Sequence, residues 1–524
     1  MNNIKILDCT LRDGGYINDW KFGHNNIKEI IDNLALANID IIETGFIRNV
    51  EYDKDFSVFT SIEDIKQYIT PKKEGTLYAA MIEYHNHVED QITPYDGTSV
   101  DVIRVTFRRK EWEGTKKVVK ELMEKGYKVC IQPVGTATYD DQSLLNLLRD
   151  VNEIKPYAFY LVDTLGMMYR HEMRKFFYLI DNNLSQDICL GFHSHNNLQM
   201  SFANAQEMVR LNHKRTIIVD SSCYGMGRGV GNLSTELFAD YINNNIEQRY
   251  SLIPLLNIVD KYLMPIYAEQ RWGYDLPYFL SATVKCHPNY AAHLMKKETL
   301  GIEKIEKLLS LIPQDNRSEY NSDLIESLYR QMQNFDIDDS SSYSEMKDLV
   351  ENKEVVVLGP GSSIMKYEDK IKAVISDKII ISTNFMPTNY QIDALFISNE
   401  KRLGTLDFEM VDKVIATSNL KEEIKNGKFF NYSSLLGEGD ASDNAGAMLI
   451  RILKKSNVKK IYLAGFDGFD VDSSANYAVE RFKKSLDYNT AKKKNEDISK
   501  QFKLALNGVE YEVLTPTKYE IGNI

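Results

Sequence analysis

Three short stretches of this 524-residue chain concentrate the residue types that do chemistry. The apolar run Ile4-Lys5-Ile6-Leu7-Asp8-Cys9-Thr10-Leu11 leads into Arg12-Asp13 and then Gly14-Gly15, so a cation and a carboxylate stand where the backbone is free to turn sharply. Cys189-Leu190-Gly191-Phe192 leads into His193-Ser194-His195, and the period of two along a strand points both imidazoles the same way. Ile217-Ile218-Val219-Asp220 leads into a glycine-rich loop, Gly225-Met226-Gly227-Arg228-Gly229-Val230-Gly231-Asn232. A carboxylate, two imidazoles and an amide oxygen suit a divalent cation that keeps open positions for substrate.

Such groups need rigid elements behind them. Apolar strand-like runs at 4 to 9, 39 to 46, 76 to 83, 101 to 107, 127 to 133, 157 to 163, 187 to 195 and 215 to 220 alternate with amphipathic helical stretches. Eight strands with helical crossovers predict a (β/α)8 TIM barrel, in which functional groups sit at the C-terminal strand ends. The polar ends follow that rule: Arg12-Asp13, Glu43-Thr44, Glu83, Arg104, Gln132, Asp163-Thr164, His193-His195 and Asp220. A doubly wound sheet also carries polar strand ends, so the count alone leaves both α/β architectures open. A second His-X-His, His85 and His87, reads as a pair of ordinary loop histidines on the far side of the first strand.

Composition narrows the partners. With 43% hydrophobic and 26% charged residues the chain reads as a soluble globular protein, long enough for at least two domains. The start carries no signal-peptide pattern and no run is long enough for a membrane span, so a cytoplasmic location is expected. A net charge of -12 argues against nucleic acid as a partner. The five cysteines, Cys9, Cys130, Cys189, Cys223 and Cys286, lack paired spacing and read as reduced core residues.

Together, Leu7-Asp8-Cys9-Thr10-Leu11-Arg12-Asp13-Gly14, His193-Ser194-His195-Asn196-Asn197 and the stretch from Asp220 to Asn232 resemble the DRE-TIM metallolyases. That superfamily includes 4-hydroxy-2-oxovalerate aldolase, hydroxymethylglutaryl-CoA lyase and the isopropylmalate and homocitrate synthases. The resemblance implies that Asp13, His193, His195 and Asn232 hold Mn2+ or Mg2+, that a 2-oxo acid chelates it, and that Arg12 stabilises the enolate oxygen. Where the aldolases carry a histidine base this chain has Tyr16, and the glutamate of the synthases is missing. Tyrosine, with an ordinary pKa near ~10, is a poor base at neutral pH. Tyr16 as donor or relay and Asp19 as base both stay open.

Residues 249 to 335 read as a helical extension over the barrel mouth, and the resemblance makes Tyr290 a match to a tyrosine that the aldolases place there. The acidic, serine-rich 336 to 352 reads as a linker between the barrel, 1 to 248, and a second α/β domain, 353 to 524. In that domain a strand runs into Gly359-Pro360-Gly361-Ser362-Ser363, an arrangement that aims N–H groups at a phosphate. With strand-like runs at 378 to 382 and 394 to 398, and a helix opening at Ser442-Asp443-Asn444-Ala445-Gly446 that leads to the stretch from Lys460 to Phe469, it resembles the Rossmann-like fold of bacterial CMP-sialic acid sialyltransferases. This implies a nucleotide or nucleotide-sugar site near Gly359, Gly361, Ser362, Ser363, Asn384 and Asn444. The domain has no histidine to serve as a transferase base, and Lys492-Lys493-Lys494 reads as a solvated helix face.

The expectation is a metal-dependent aldolase or lyase and homo-oligomer, acting through a pyruvate-like 2-oxo acid and an aldehyde. The second domain suggests surface-polysaccharide synthesis as its setting. Two alternatives are an acyl-CoA-dependent Claisen synthase on the same barrel and a nucleotide-sugar transferase that uses the barrel as scaffold.

Overall fold

A computed structural model describes residues 4–86, 88–211, 214–406, 413–439, 441–472, 476–478 and 486–521. The chain divides into two compact units, Met1–Ala292 with Ile312–Asn321, and His293–Leu311 with Ser322–Ile524.

The first unit is a parallel barrel. Its strands are β1 (Ile4–Asp8), β2 (Ile41–Ile47), the two-residue β3 (Val58–Phe59), β4 (Leu77–Glu83), β5 (Val102–Phe107), β6 (Lys128–Pro133), β7 (Ala158–Asp163), β8 (Cys189–Ser194) and β9 (Ile217–Ser221). Each pairs in parallel with its neighbour, and β1 pairs with both β9 and β2, which closes the ring with β3 as an appendage on β2. The eight barrel strands therefore fall within two residues of the runs read from sequence.

Burial on both faces explains the near-continuous apolar runs. Ile6, Ile42, Ile103, Val129, Phe159 and Val219 face outward and pack under the helices. Leu7, Ile41, Ala79, Cys130, Ala158 and Tyr160 fill the barrel interior. All five cysteines are buried free thiols. Near the C-terminal ends, Ala282 packs against Leu165 and Met167 and Lys285 pairs with Glu172 at 2.7 Å, so 276 to 286 lies over the loops that follow β7.

The second unit holds a seven-stranded parallel sheet: β10 (Glu354–Leu358), β11 (Ile379–Thr383), β12 (Ala394–Ile397), β13 (Val414–Thr417), β14 (Lys428–Phe430), β15 (Lys460–Ala464) and β16 (Tyr511–Val513). Its order, β14-β13-β12-β11-β10-β15-β16, reverses direction between β10 and β15. The stretch expected as a linker contains the helix Ser340–Val350, whose Tyr343, Met346 and Val350 are buried in this unit's core. Its apolar residues, at spacings of three and four, carry more weight than its acidic and serine content. Among the described residues no helix is long and apolar enough to cross a membrane.

Candidate metal centre

Just beyond β1, the N–H groups of Arg12 and Asp13 both donate to Cys9 O, at 3.1 and 2.8 Å. This turn carries both side chains into the barrel mouth, and the glycines follow from crowding. A Cβ on Gly14 would strike Thr10 O, and one on Gly15 the Trp20 indole.

Asp13, His193 and His195 are buried and present ligand atoms that lie within 4.8 Å of one another. Asn232 joins them from the glycine loop, its Nδ2 donating to Asp13 Oδ2 at 2.7 Å. An isolated antiparallel bridge between His195 and Asn232 ties that loop to the end of β8. Two polar atoms of the cluster, Asn232 Oδ1 and His195 Nδ1, are buried without a hydrogen-bond partner. A carboxylate, two imidazoles and an orphaned amide oxygen form a donor set that a divalent cation would complete.

Behind the cluster runs a chain of buried ion pairs. Arg12 Nη1 donates to Asp13 Oδ1 at 2.5 Å, and Arg12 Nε to Glu43 Oε2 at 2.8 Å. Glu43 Oε2 also forms an ion pair with Arg104 Nη1 at 2.7 Å, Arg104 Nη2 donates to Asp220, and Asp220 Oδ2 accepts from His193 Nδ1 at 3.0 Å. The chain starts at one candidate ligand and ends at another. With Nδ1–H of His193 donating to Asp220, Nε2 is left as the acceptor that a metal uses. Gln132, with its carboxamide oxygen turned inward, accepts from Arg104 Nε at 2.7 Å, and the Arg104 guanidinium lies over the Tyr160 ring at 4.9 Å. Gly191 makes this possible, since any Cβ there would strike the Tyr160 ring.

Electrostatics favours ligation. Burial pushes the Asp13 carboxyl up, but Arg12, the two imidazoles and the Asn232 amide outweigh it and hold the group well below the carboxylate range. Burial, opposed by Asp13 and helped by His193 and Arg228, lowers His195 to about 4. The cluster thus offers an anionic oxygen and an unprotonated imidazole at neutral pH. Deeper in the mouth, burial raises Asp163 to about 6 despite its bonds from Met168 N and Met167 N.

Other expected residues lie elsewhere or are engaged. Tyr16 packs its ring 4.7 Å from Trp20, and burial together with the Asp13 charge raises its phenol, so it holds its proton at neutral pH. Asp19 is exposed, at the left-handed end of the short helix Gly15–Asn18. Tyr290 is engaged within the extension. It is buried, and its hydroxyl is bonded to Asn316 O and Glu319 O at 2.9 and 2.8 Å while accepting from Asn321 N, so it braces the extension. Instead, Tyr278 packs its ring on Gly229, and His287 meets Arg228 with 2.8 Å between His287 Nε2 and Arg228 Nη2. The polar and aromatic density of 277 to 291 was the available signal, and the residue at its tip depended on packing. His85 is exposed in a short turn, and His87 lies outside the described residues.

In the second unit the glycine turn is satisfied internally. Gly359 N and Gly361 N donate to Ala464 O and Gly465 O, both at 2.8 Å, and a Cβ on Gly359 would fall 2.6 Å from Gly465 O. Ser363 N donates to Asp467 Oδ2 at 2.7 Å, Ser363 Oγ bonds the same carboxylate, and Ser362 Oγ lies 3.4 Å from it. A carboxylate thus stands where the motif implied a phosphate, and the glycines serve the close approach of β10 to the end of β15. Asn384 and Asn444 line a cleft of about 880 Å3 at the C-terminal ends of the strands. Their amide oxygens accept from Ser398 N at 3.0 Å and Ala447 N at 3.1 Å. Lys493, exposed as the solvated-face reading expected, and half-buried Lys494 line the same cleft.

A family model described as HMGL-like matches residues 3–258. Oxaloacetate decarboxylase of Mycobacterium tuberculosis is 25% identical over 233 residues, covering 44% of this chain and 67% of that protein. A 4-hydroxy-2-oxovalerate aldolase of Salinispora arenicola is 27% identical over 280 residues, covering 52% of this chain and 77% of that protein. The N-terminal domain of a putative aldolase from Bacteroides vulgatus superposes with a TM-score of 0.47 at 26% identity, covering 56% of this chain and 96% of that one. Residues 3–258 thus match the HMGL-like family model, and this barrel carries its candidate metal ligands at the C-terminal ends of its strands.

Proposed function

We propose that the barrel makes or breaks a carbon–carbon bond next to a 2-oxo acid, with pyruvate as the enolate donor or product and an aldehyde as its partner. The observation that carries this reading is the buried Asp13, His193 and His195 cluster, with Asn232 beside it, at the mouth of a closed parallel barrel. These four residues would hold Mn2+ or Mg2+, which when bound supplies Lewis-acid polarisation of the oxo acid's oxygens. Arg12 keeps Nη2 buried and without a partner, a donor for the oxygen that gains charge as the bond breaks. Glu43 holds that guanidinium in place, and a rigid donor loses no reorganisation energy during reaction. Tyr16, which retains its proton, serves as donor or relay. The relatives named for 4-hydroxy-2-oxovalerate and oxaloacetate act on 2-oxo acids, which supports the same substrate class.

For the second unit we keep the nucleotide or nucleotide-sugar reading, supported by a cleft at the strand C-termini of an open parallel sheet whose order reverses between β10 and β15. Asp467 excludes a phosphate from the Ser362-Ser363 turn, so the ligand's anionic part lies elsewhere in the cleft. The surface-polysaccharide setting rests on this unit alone.

The deciding experiment is exchange of the pyruvate C3 protons with solvent deuterium, followed by NMR, with Mn2+ or Mg2+ present. Exchange that requires metal and is lost in Asp13→Ala is expected. No exchange with metal demonstrably bound would remove pyruvate as donor.

A further inference from the structure

Arg228 stands apart from the other guanidinium groups of the mouth. Arg12 and Arg104 are balanced by Asp13, Glu43 and Asp220 in the buried ion-pair chain. Half-buried Arg228 has no carboxylate partner among the described residues, and its recorded polar contact is with His287. That imidazole is neutral at physiological pH, because burial, reinforced by Arg228, lowers it to about 4. The pair therefore keeps a full positive charge.

Its place is defined from both sides. A Cβ on the preceding residue, Gly227, would strike Asn232 Nδ2 and fall 2.8 Å from Asp13 Oδ2, so the loop bearing Arg228 runs directly against the metal ligands. The charge of Arg228 is felt at His195, where it opposes protonation. From the extension, Tyr278 clamps Gly229, the Trp272 indole donates to Tyr224 O at 3.0 Å, and His287 N donates to Arg317 O at 2.7 Å. The loop and its cation are thus held by a second layer of structure.

An uncompensated guanidinium partly withdrawn from water is costly unless a ligand completes it. We propose that Arg228, positioned by His287, recognises an anionic substituent, carboxylate or phosphate, on the part of the substrate remote from the 2-oxo acid group. Charge-assisted hydrogen bonds of this kind contribute about 1.5–3 kcal/mol, roughly ten- to a hundredfold in affinity. The inference rests on the 2-oxo acid reading and adds the charge of the reaction partner: the aldehyde carries an acidic group.

The test is calorimetric titration of the full-length, Mn2+-loaded protein with 2-oxoglutarate, 2-oxo-4-phosphonobutanoate and neutral-tailed 2-oxopentanoate. The expected result is that at least one charged-tail ligand binds about tenfold or more tighter than 2-oxopentanoate, and the tighter tail identifies carboxylate or phosphonate recognition. Arg228→Gln should erase that gap while 2-oxopentanoate stays within about twofold, and His287→Ala should narrow it. A general loss of fold would weaken all three ligands together. Equal binding of all tails, a gap that survives Arg228→Gln, a parallel loss of every ligand, or no binding of any would overturn the proposal. The charged-tail gap without pyruvate exchange would remove the lyase reading and leave the anion site standing.

Discussion

His193 Nδ1 lies 3.0 Å from Asp220 Oδ2, and the same carboxylate oxygen accepts from Arg104. One buried oxygen thus sets the tautomer of a candidate metal ligand and balances a cation in the barrel interior. Burial raises the Asp220 carboxyl, but Arg104 and His193 outweigh it and keep it ionised.

Asp220→Asn should therefore affect two properties. Losing an outer-shell carboxylate typically costs about 10–100-fold in metal affinity, and leaving a buried cation unpaired costs about 3–5 kcal/mol. Mn2+ titration by EPR and urea unfolding of the apo protein would measure the two separately.

Gly227→Ala should abolish Mn2+ binding without unfolding the barrel. The added methyl collides with Asn232 Nδ2 and crowds Asp13 Oδ2, and both are candidate ligands. Gly404→Ala, where a Cβ meets nothing within 4 Å, is the matching control. Retained metal affinity in the Gly227 variant would show that Asn232 and Asp13 are not needed in their present positions.

The contribution of His195 to apo stability should fall as pH drops from about 6.5 to about 4. His195 is lowered from 6.5 to about 4 by burial, so over this window the unfolded chain binds a proton that the folded chain refuses. Above 6.5 both states are neutral and the effect vanishes; below 4 it is complete, at about 3 kcal/mol. Asp163, raised to about 6, acts with the opposite sign, losing stability as pH rises from 3.8 to 6. Unfolding in EDTA across this range should show wild type losing stability relative to His195→Gln as pH falls, a difference in which the Asp163 contribution cancels.

Tyr290→Phe should leave pyruvate exchange within about twofold and destabilise the protein by about 1–3 kcal/mol. It removes a hydroxyl whose single proton is shared between two backbone carbonyls and which accepts from one N–H in the extension. A large kinetic loss at unchanged stability would restore a catalytic role to this tyrosine.

Wild-type protein should not bind inorganic phosphate at the Ser362-Ser363 turn. Asp467→Ser should create weak binding there by freeing Ser363 N and Oγ. Phosphorus NMR line broadening across the two proteins reports the difference.

Much was legible without coordinates because it is local. The period of two that points His193 and His195 to one side, the apolar runs that become β1 to β9, and the turn after Arg12-Asp13 depend on neighbours a few residues apart. In the second unit β10, β11, β12 and β15 were visible as apolar runs, whereas the shorter β13, β14 and β16 were not.

Tertiary structure decided what depends on residues far apart in the chain. Asp13 and Asn232 are 219 positions apart, Arg104 and Asp220 are 116, and His287 reaches Arg228 across 59. Glu43, Arg104 and Asp220 each read from sequence as one polar strand end. Only barrel closure turns them into a continuous ion-pair chain between two ligands, because a charge buried among strands must find its counter-charge wherever the fold brings one. For the same reason a glycine-serine turn that reads as a phosphate cradle is filled by Asp467, 104 residues later than Ser363. A motif specifies which donors are available, and the packed chain decides what they bind.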